Sequence, residues 1–312
     1  MSGDNGYARR RPGQRKEHQE MRHTAFPKSK TGWLAVDGSL ASRSAALIGL
    51  NIAFPLGLQL RSISLGADPP WSARPSSDNL AEMRFLARDK TRPQPEGVTS
   101  QATTRALQWL GGQALLTQVS LSMHVELGGV TPRLTQLTAE SAFLSMGRRG
   151  VLHQGEIGYL GQDLLAVAGR SGCPLLIGGE QAPSSTIHKL ILADDFQPAS
   201  ARAGAWAAHL QRNLSCIVGI VTLDPEPDWD APVAAETPPS LEESASQPEK
   251  PDSVNLGRRQ KRSAEIILSA AEKTHTDLII MGCRRPHLSD RGARGRLIDL
   301  LRICELPVLA VF

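Results

Sequence analysis

The stretch Ser141-Ala-Phe-Leu-Ser-Met146-Gly147-Arg148-Arg149-Gly150 decides how this chain folds. An apolar run ends at Met146, empties into a glycine loop, and is followed downstream by Gly161-Gln162. The same arrangement returns near the end of the chain. There Asp277-Leu-Ile-Ile-Met281 runs into Gly282-Cys-Arg-Arg285, with Gly295-Arg296 beyond it. Each copy closes with a helical stretch and a short apolar strand, Cys173–Ile177 in the first and Leu306–Phe312 in the second. A glycine loop between a buried strand and a helix start can hold phosphate, because backbone N–H groups point out of the turn and the helix dipole favours negative charge there. Two copies in one chain indicate a duplicated α/β module.

The beginnings match as well. Trp33-Leu-Ala-Val36-Asp37-Gly38-Ser39 and Leu190-Ile-Leu-Ala-Asp194-Asp195-Phe196 each read as a buried strand with an acid at its carboxyl end, followed by a helix. Between start and loop, strand and helix patterns alternate. Strands are expected at 32–36, 58–65, 119–127 and 141–146, with helices at 42–53, 78–89, 100–110 and 131–140, the third stopping at Gly111-Gly112. Alternation of this kind argues for a mostly parallel sheet covered on both faces. The second copy offers a helix at 199–212, a strand at 215–223, a helix at 257–274 and a strand at 277–281. Between Asp224 and Asp252 the pattern breaks into prolines and nine acids with a single lysine, which reads as an acidic disordered insertion that shortens this module.

With these residues in view, the chain resembles the universal stress protein family in its tandem two-domain form. That family's first strand ends in Val-Asp-Gly-Ser or Val-Asp-Phe-Ser-Pro, and its nucleotide loop is Gly-x-x-Gly, nine or ten residues, then Gly-Ser/Thr. The fold implied is two tandem, doubly wound, mostly parallel-sheet modules (HUP or universal stress protein-like), the second shortened. The expected boundaries are a disordered basic tail over 1–30, a first module over 31–182, and a degenerate second module over 183–312 carrying the insertion 224–256. The resemblance places adenine and ribose against Asp37 and phosphates against Gly147, Gly150 and Gly161. The full candidate site is Val36, Asp37, Gly38, Ser39, Met146, Gly147, Arg148, Arg149, Gly150, Gly161 and Gln162. A second candidate site comprises Asp195, Gly282, Arg285, Gly295 and Arg296, with Gly292–Gly295 and Arg291, Arg294 and Arg296 as an alternative anion nest. ATP or AMP is the implied ligand, with Mg²⁺ only if ATP is bound.

Two departures stand out. Gln162 takes the place of the family's serine or threonine, where a longer amide competes with phosphate for space. In the second copy Arg285 replaces the loop's second glycine, and Pro286 removes an N–H and restricts the residue before it. A degenerate second copy supporting a pseudo-dimer is the expectation there.

Composition narrows the rest. The 312 residues suit two modules, and a 40% apolar, 4% aromatic content suits aliphatic α/β cores. The formal charge of +4 is unevenly spread, with basic residues gathered before residue 31 and in the last sixty or so. Nucleic acid is disfavoured as a partner because stacking aromatics are almost absent from both basic regions. Four scattered cysteines show no metal or disulfide spacing, Cys283 alone having arginines beside it as a redox candidate. Eight histidines include no H-E-x-x-H, and His153 and His287 lie in the loops. No Gly-x-x-x-x-Gly-Lys-Ser/Thr or G-x-S-x-G is present, so enzymatic activity beyond slow ATP hydrolysis is not indicated. The longest apolar stretch is shorter than the roughly 20 residues a bilayer requires. The resulting expectation is a cytoplasmic stress-response regulator that binds adenine nucleotide and an unidentified protein, as a homodimer or internal pseudo-dimer. A nucleotide-free scaffold of the same fold is the alternative, and a weak ATP hydrolase the third reading.

Overall fold

The structure, a computed structural model, describes residues 29–66, 96–127, 129–150, 153, 155–156, 158–180, 186–224, 253–285, 287–289 and 292–312. The expected helix at 78–89, the basic tail up to residue 28 and the acidic segment 225–252 lie outside the described residues.

The first half runs β1 (Thr31–Ala35), α1 (Leu40–Ala53), β2 (Gln59–Gly66), α2 (Glu96–Leu116), β3 (Leu121–Leu127), α3 (Val130–Thr138), β4 (Phe143–Gly147), α4 (Gln162–Ala168) and β5 (Leu175–Gly178). The second half runs β6 (Lys189–Asp194), α5 (Pro198–Leu214), β7 (Ile217–Thr222), α6 (Ser253–Thr274), β8 (Leu278–Gly282), β9 (His287–Ser289), β10 (Gly292–Arg294), α7 (Arg296–Ile303) and β11 (Val308–Val311). All but β9 and β10 join one nine-stranded sheet, ordered β3-β2-β1-β4-β5-β11-β8-β6-β7. Pairing is parallel within each half, and the sole antiparallel seam of that sheet is β5 against β11, with Leu176 opposite Leu309. The order around each β-α-β start is doubly wound, β2-β1-β4 and β7-β6-β8. Among the described residues the second half has no equivalent of α2 or β3, as the broken pattern after Asp224 indicated.

The central strands of the sheet are buried on both faces, and alternation along them feeds two cores. Leu175, Ile177, Val308 and Ala310 face α3, α4, α6 and α7, whereas Leu176, Leu309 and Val311 face α1, α2 and α5. Both cores cross the β5–β11 seam, so the halves share their apolar interior. Burying a Leu, Ile or Val side chain contributes about 1.5–3 kcal/mol. The seam is therefore held by packing as well as by its backbone ladder.

Two local expectations are corrected. Helix α2 does not stop at Gly111-Gly112 but continues to Leu116. Its face carrying Ala106, Leu107, Leu110 and Ala114 stays buried against the α1 side of the sheet, which outweighs the penalty of about 1 kcal/mol per interior glycine. The segment Gly292–Arg294 is not an anion nest: it is the extended strand β10, hydrogen-bonded antiparallel to β9. Arg291 lies outside the described residues.

Candidate functional site

Ligand sites in doubly wound sheets lie beyond the carboxyl ends of the strands where the order reverses. In the first half that point is the gap between the ends of β1 and β4. Val36 is buried, its N–H bonded to Ile63 O across the ladder at 2.9 Å. Asp37 follows, partly buried, and its Oδ1 accepts the Ser39 N–H at 2.9 Å. Gly38 holds φ at +89°, a left-handed value that favours glycine, and turns the chain into α1. Ser39 caps that helix, its Oγ accepting the Ser42 N–H at 3.1 Å.

From the other side, Met146 is buried and Gly147 lies tight against the α1 N-terminus, where a Cβ would sit 2.8 Å from Ser42 N. A Cβ on Gly150 would sit 3.7 Å from Asp37 Oδ2 and meet nothing else within 4 Å. Gly150 therefore opens toward the acid. Gly161 returns the loop, its N–H donating to Arg148 O at 2.8 Å, and Gln162 begins α4 with its side chain exposed. The structure thus brings Asp37, Gly147 and Gly150 to one edge. His153, a histidine of the loop, stacks on Tyr159 at 4.0 Å between ring centroids and pairs with Glu156 at 3.2 Å.

The arginines are a correction. Arg148 and Arg149 belong to the candidate nucleotide site, yet their side chains are among the most buried in the protein, 0% and 2% exposed. Arg148 Nε donates to Gly178 O at 3.1 Å, Nη1 to Leu301 O at 3.1 Å and to Cys304 O, and Nη2 to Leu306 O at 2.9 Å. Its guanidinium lies at the negative end of α7, a favourable place for a cation. Burial lowers its pKa from the ordinary value, with Glu305 at 3.8 Å opposing the effect. An arginine remains charged regardless. Arg149 Nε donates to Tyr159 O at 3.0 Å, Nη1 to Glu180 at 2.8 Å and Nη2 to Glu305 at 3.1 Å. Glu180 and Glu305 were missed because their partners are remote in sequence.

The second half's counterpart is built differently. Asp195 is 4% exposed and accepts from Ser200 Oγ at 2.6 Å and from Gln197 N at 3.1 Å. Its other oxygen pairs with Arg296 at 2.8 Å, and that guanidinium, itself 4% exposed, also donates to Asp224 O at 2.6 Å. Gly295, at φ +135°, starts α7 and aims Arg296 inward. Gly282 is pressed on α5, where a Cβ would lie 2.1 Å from Ser200 N. Arg285 points away from Asp195 and donates to Ser171 O in the first half at 3.0 Å. Of the second candidate set, Asp195 and Arg296 meet, and they satisfy each other. The clue lay in the repeat itself: Arg296 follows its glycine as Gln162 follows Gly161, giving the second acid a cation the first lacks. Among the described residues no cation lies within ion-pair distance of Asp37.

All four cysteines are buried and none is in a disulfide, Cys283 included, which shields the redox candidate from solvent. Burial pushes the Cys173 thiol up to about 12. Among the described residues no cluster of three or more metal-ligating side chains occurs, and no helix is long and apolar enough to cross a membrane.

Residues 186–311 match the model of the universal stress protein family. The second half is a universal stress protein domain. A universal stress protein from Archaeoglobus fulgidus has a similar structure, with a TM-score of 0.57 at 15% identity over 91% of this chain and 98% of that one. A functionally unknown protein from Pseudomonas aeruginosa PAO1 matches with a TM-score of 0.50 at 13% identity, covering 94% of each chain. At these identities the likeness concerns the fold alone: the universal stress protein architecture extends over both halves. No curated protein matches the chain.

Proposed function

We propose that this chain is a cytosolic stress-response regulator that holds an adenine nucleotide, ATP or AMP, in its first half and signals through protein contacts. The carrying observation is the contrast between the two strand-end acids. Asp195 is buried and neutralised by Arg296, so its site is closed by the protein's own side chain. Asp37 keeps Oδ2 facing the space at Gly150, with a turn hydrogen bond on its other oxygen. A carboxylate there suits the N–H and O–H donors of a nucleoside, while the Cβ-free loop lets phosphate approach the backbone. If ATP binds, its own phosphates bring Mg²⁺. The first half is therefore the binding half and the second a supporting one.

The experiment is a thermal-stability titration with ATP, ADP and AMP, using Gly150→Trp as the control. Saturable stabilisation is expected, worth about 2.7 kcal/mol at a hundredfold excess over Kd, and absent in the variant, whose indole fills the space before Asp37. A flat response at millimolar nucleotide would move the assignment to a nucleotide-free scaffold. The exposed Gln162 and the committed guanidinium groups of Arg148 and Arg149 favour that second reading. Turnover of ATP with Mg²⁺ would identify a weak hydrolase.

A further inference from the structure

We propose that Arg148 and Arg149 form a positioning unit through which the second half holds the first half's glycine loop in shape, so that ligand affinity at that loop depends on the α7–β11 corner. This deepens the nucleotide reading and rests on it only for the identity of the ligand.

Three observations carry the proposal. The first is where the guanidinium groups go. Arg148 crosses the seam to the carbonyls of Leu301, Cys304 and Leu306, and Arg149 crosses it to Glu305. A wholly buried cation is costly unless its donors are matched. These donors are matched only when the corner is docked.

The second is that the same two residues set the loop's exit. Arg148 O accepts the Gly161 N–H at 2.8 Å, and Arg149 Nε holds Tyr159 O at 3.0 Å. Glu180 extends the hold to mid-loop: both its oxygens accept the Gly155 N–H at 3.1 Å while it pairs with Arg149. Loop, arginines and corner thus form one continuous hydrogen-bonded strap.

The third is close approach. A Cβ on Gly179 would fall 1.6 Å from Glu305 O, so the backbones after β5 and before β11 are pressed together where the strap crosses. In the reverse direction the exposed Arg285 donates to Ser171 O. The half with the open acid is the one whose loop is strapped.

Binding free energies are linked reciprocally: a corner that tightens the loop also docks more firmly when the loop is occupied. Glu305→Gln tests this in the full-length chain, removing the shared carboxylate charge from a side chain that is 35% exposed. Without ligand, amide hydrogen exchange at Gly155 and Gly161 should rise about tenfold, the loss of one charge-assisted hydrogen bond, and the urea midpoint should fall by no more than that same loss. Arg148→Met should give a larger rise at the same amides; if that variant does not fold, Glu305→Gln decides alone. AMP should bind Glu305→Gln several-fold more weakly. Loop exchange at the wild-type rate, or AMP bound by Glu305→Gln with wild-type affinity, would overturn the proposal. If no protein binds AMP but loop exchange still rises, the positioning unit stands and the nucleotide reading falls.

Discussion

The buried pair Asp195–Arg296 makes a quantitative demand on stability. Replacing Arg296 with Met removes the 2.8 Å contact and leaves Asp195, 4% exposed, with only Ser200 Oγ and Gln197 N as donors. Stranding one member of a buried pair costs about 3–5 kcal/mol. The two surviving donors place this case near the lower end, about 3 kcal/mol. Asp195→Asn takes the carboxylate from the guanidinium instead, which still donates to Asp224 O at 2.6 Å, and should cost about as much. The double variant buries a thioether beside an amide and should lose only about 1–2 kcal/mol. The cycle therefore gives a coupling of about 4 kcal/mol, far above the scatter of about 0.5 kcal/mol for independent sites. Urea unfolding followed by far-UV circular dichroism, with unchanged m-values, measures each corner of the cycle. A coupling within 0.5 kcal/mol of zero would refute the claim that the second site is closed by a protein ion pair.

Three further outcomes are expected. Phe196 holds φ at +62° with its side chain 74% exposed, so Phe196→Gly should stabilise the protein by about 0.5–1 kcal/mol, visible as a higher urea midpoint. Glu126 has its pKa lowered from about 4.5, first by its hydrogen bond to Arg133, so this contribution is present above pH 4.5 and lost as pH falls below it. Arg133→Ala should flatten that part of the stability–pH curve by less than 1 kcal/mol, the pair being about one-third exposed and screened by solvent. Finally, all four thiols should resist iodoacetamide at pH 8 in the native protein and react in urea; rapid native labelling of Cys283 would reopen its redox role.

The periodic elements were legible because each local pattern agreed with the fold: β4 and β8 are apolar runs closed by glycine, and α1 begins at a serine cap. Helix α2 escaped because glycine is a strong local signal that tertiary packing overrode. The hairpin of β9 and β10 carries only three residues per strand, too few to register as alternation. In the site, Asp37 and the loop glycines were readable from their order along the chain. The fate of Arg148 was not, since three of its four acceptors are backbone carbonyls more than 150 residues away, and a carbonyl leaves no mark on the sequence. Arg296 was half-readable: a cation in the repeat position opposite an acid is a compositional trace of an ion pair.

The antiparallel seam between β5 and β11 gives the molecule a direction. Because the strands of the two halves run oppositely, the open acid Asp37 and the sealed acid Asp195 lie on opposite rims of the slab. A pair of identical modules joined this way would show the same rim twice and could be bridged by a partner from either side. This chain has two unlike ends, one presenting Asp37 beside its glycine loop and the other the Asp195–Arg296 pair.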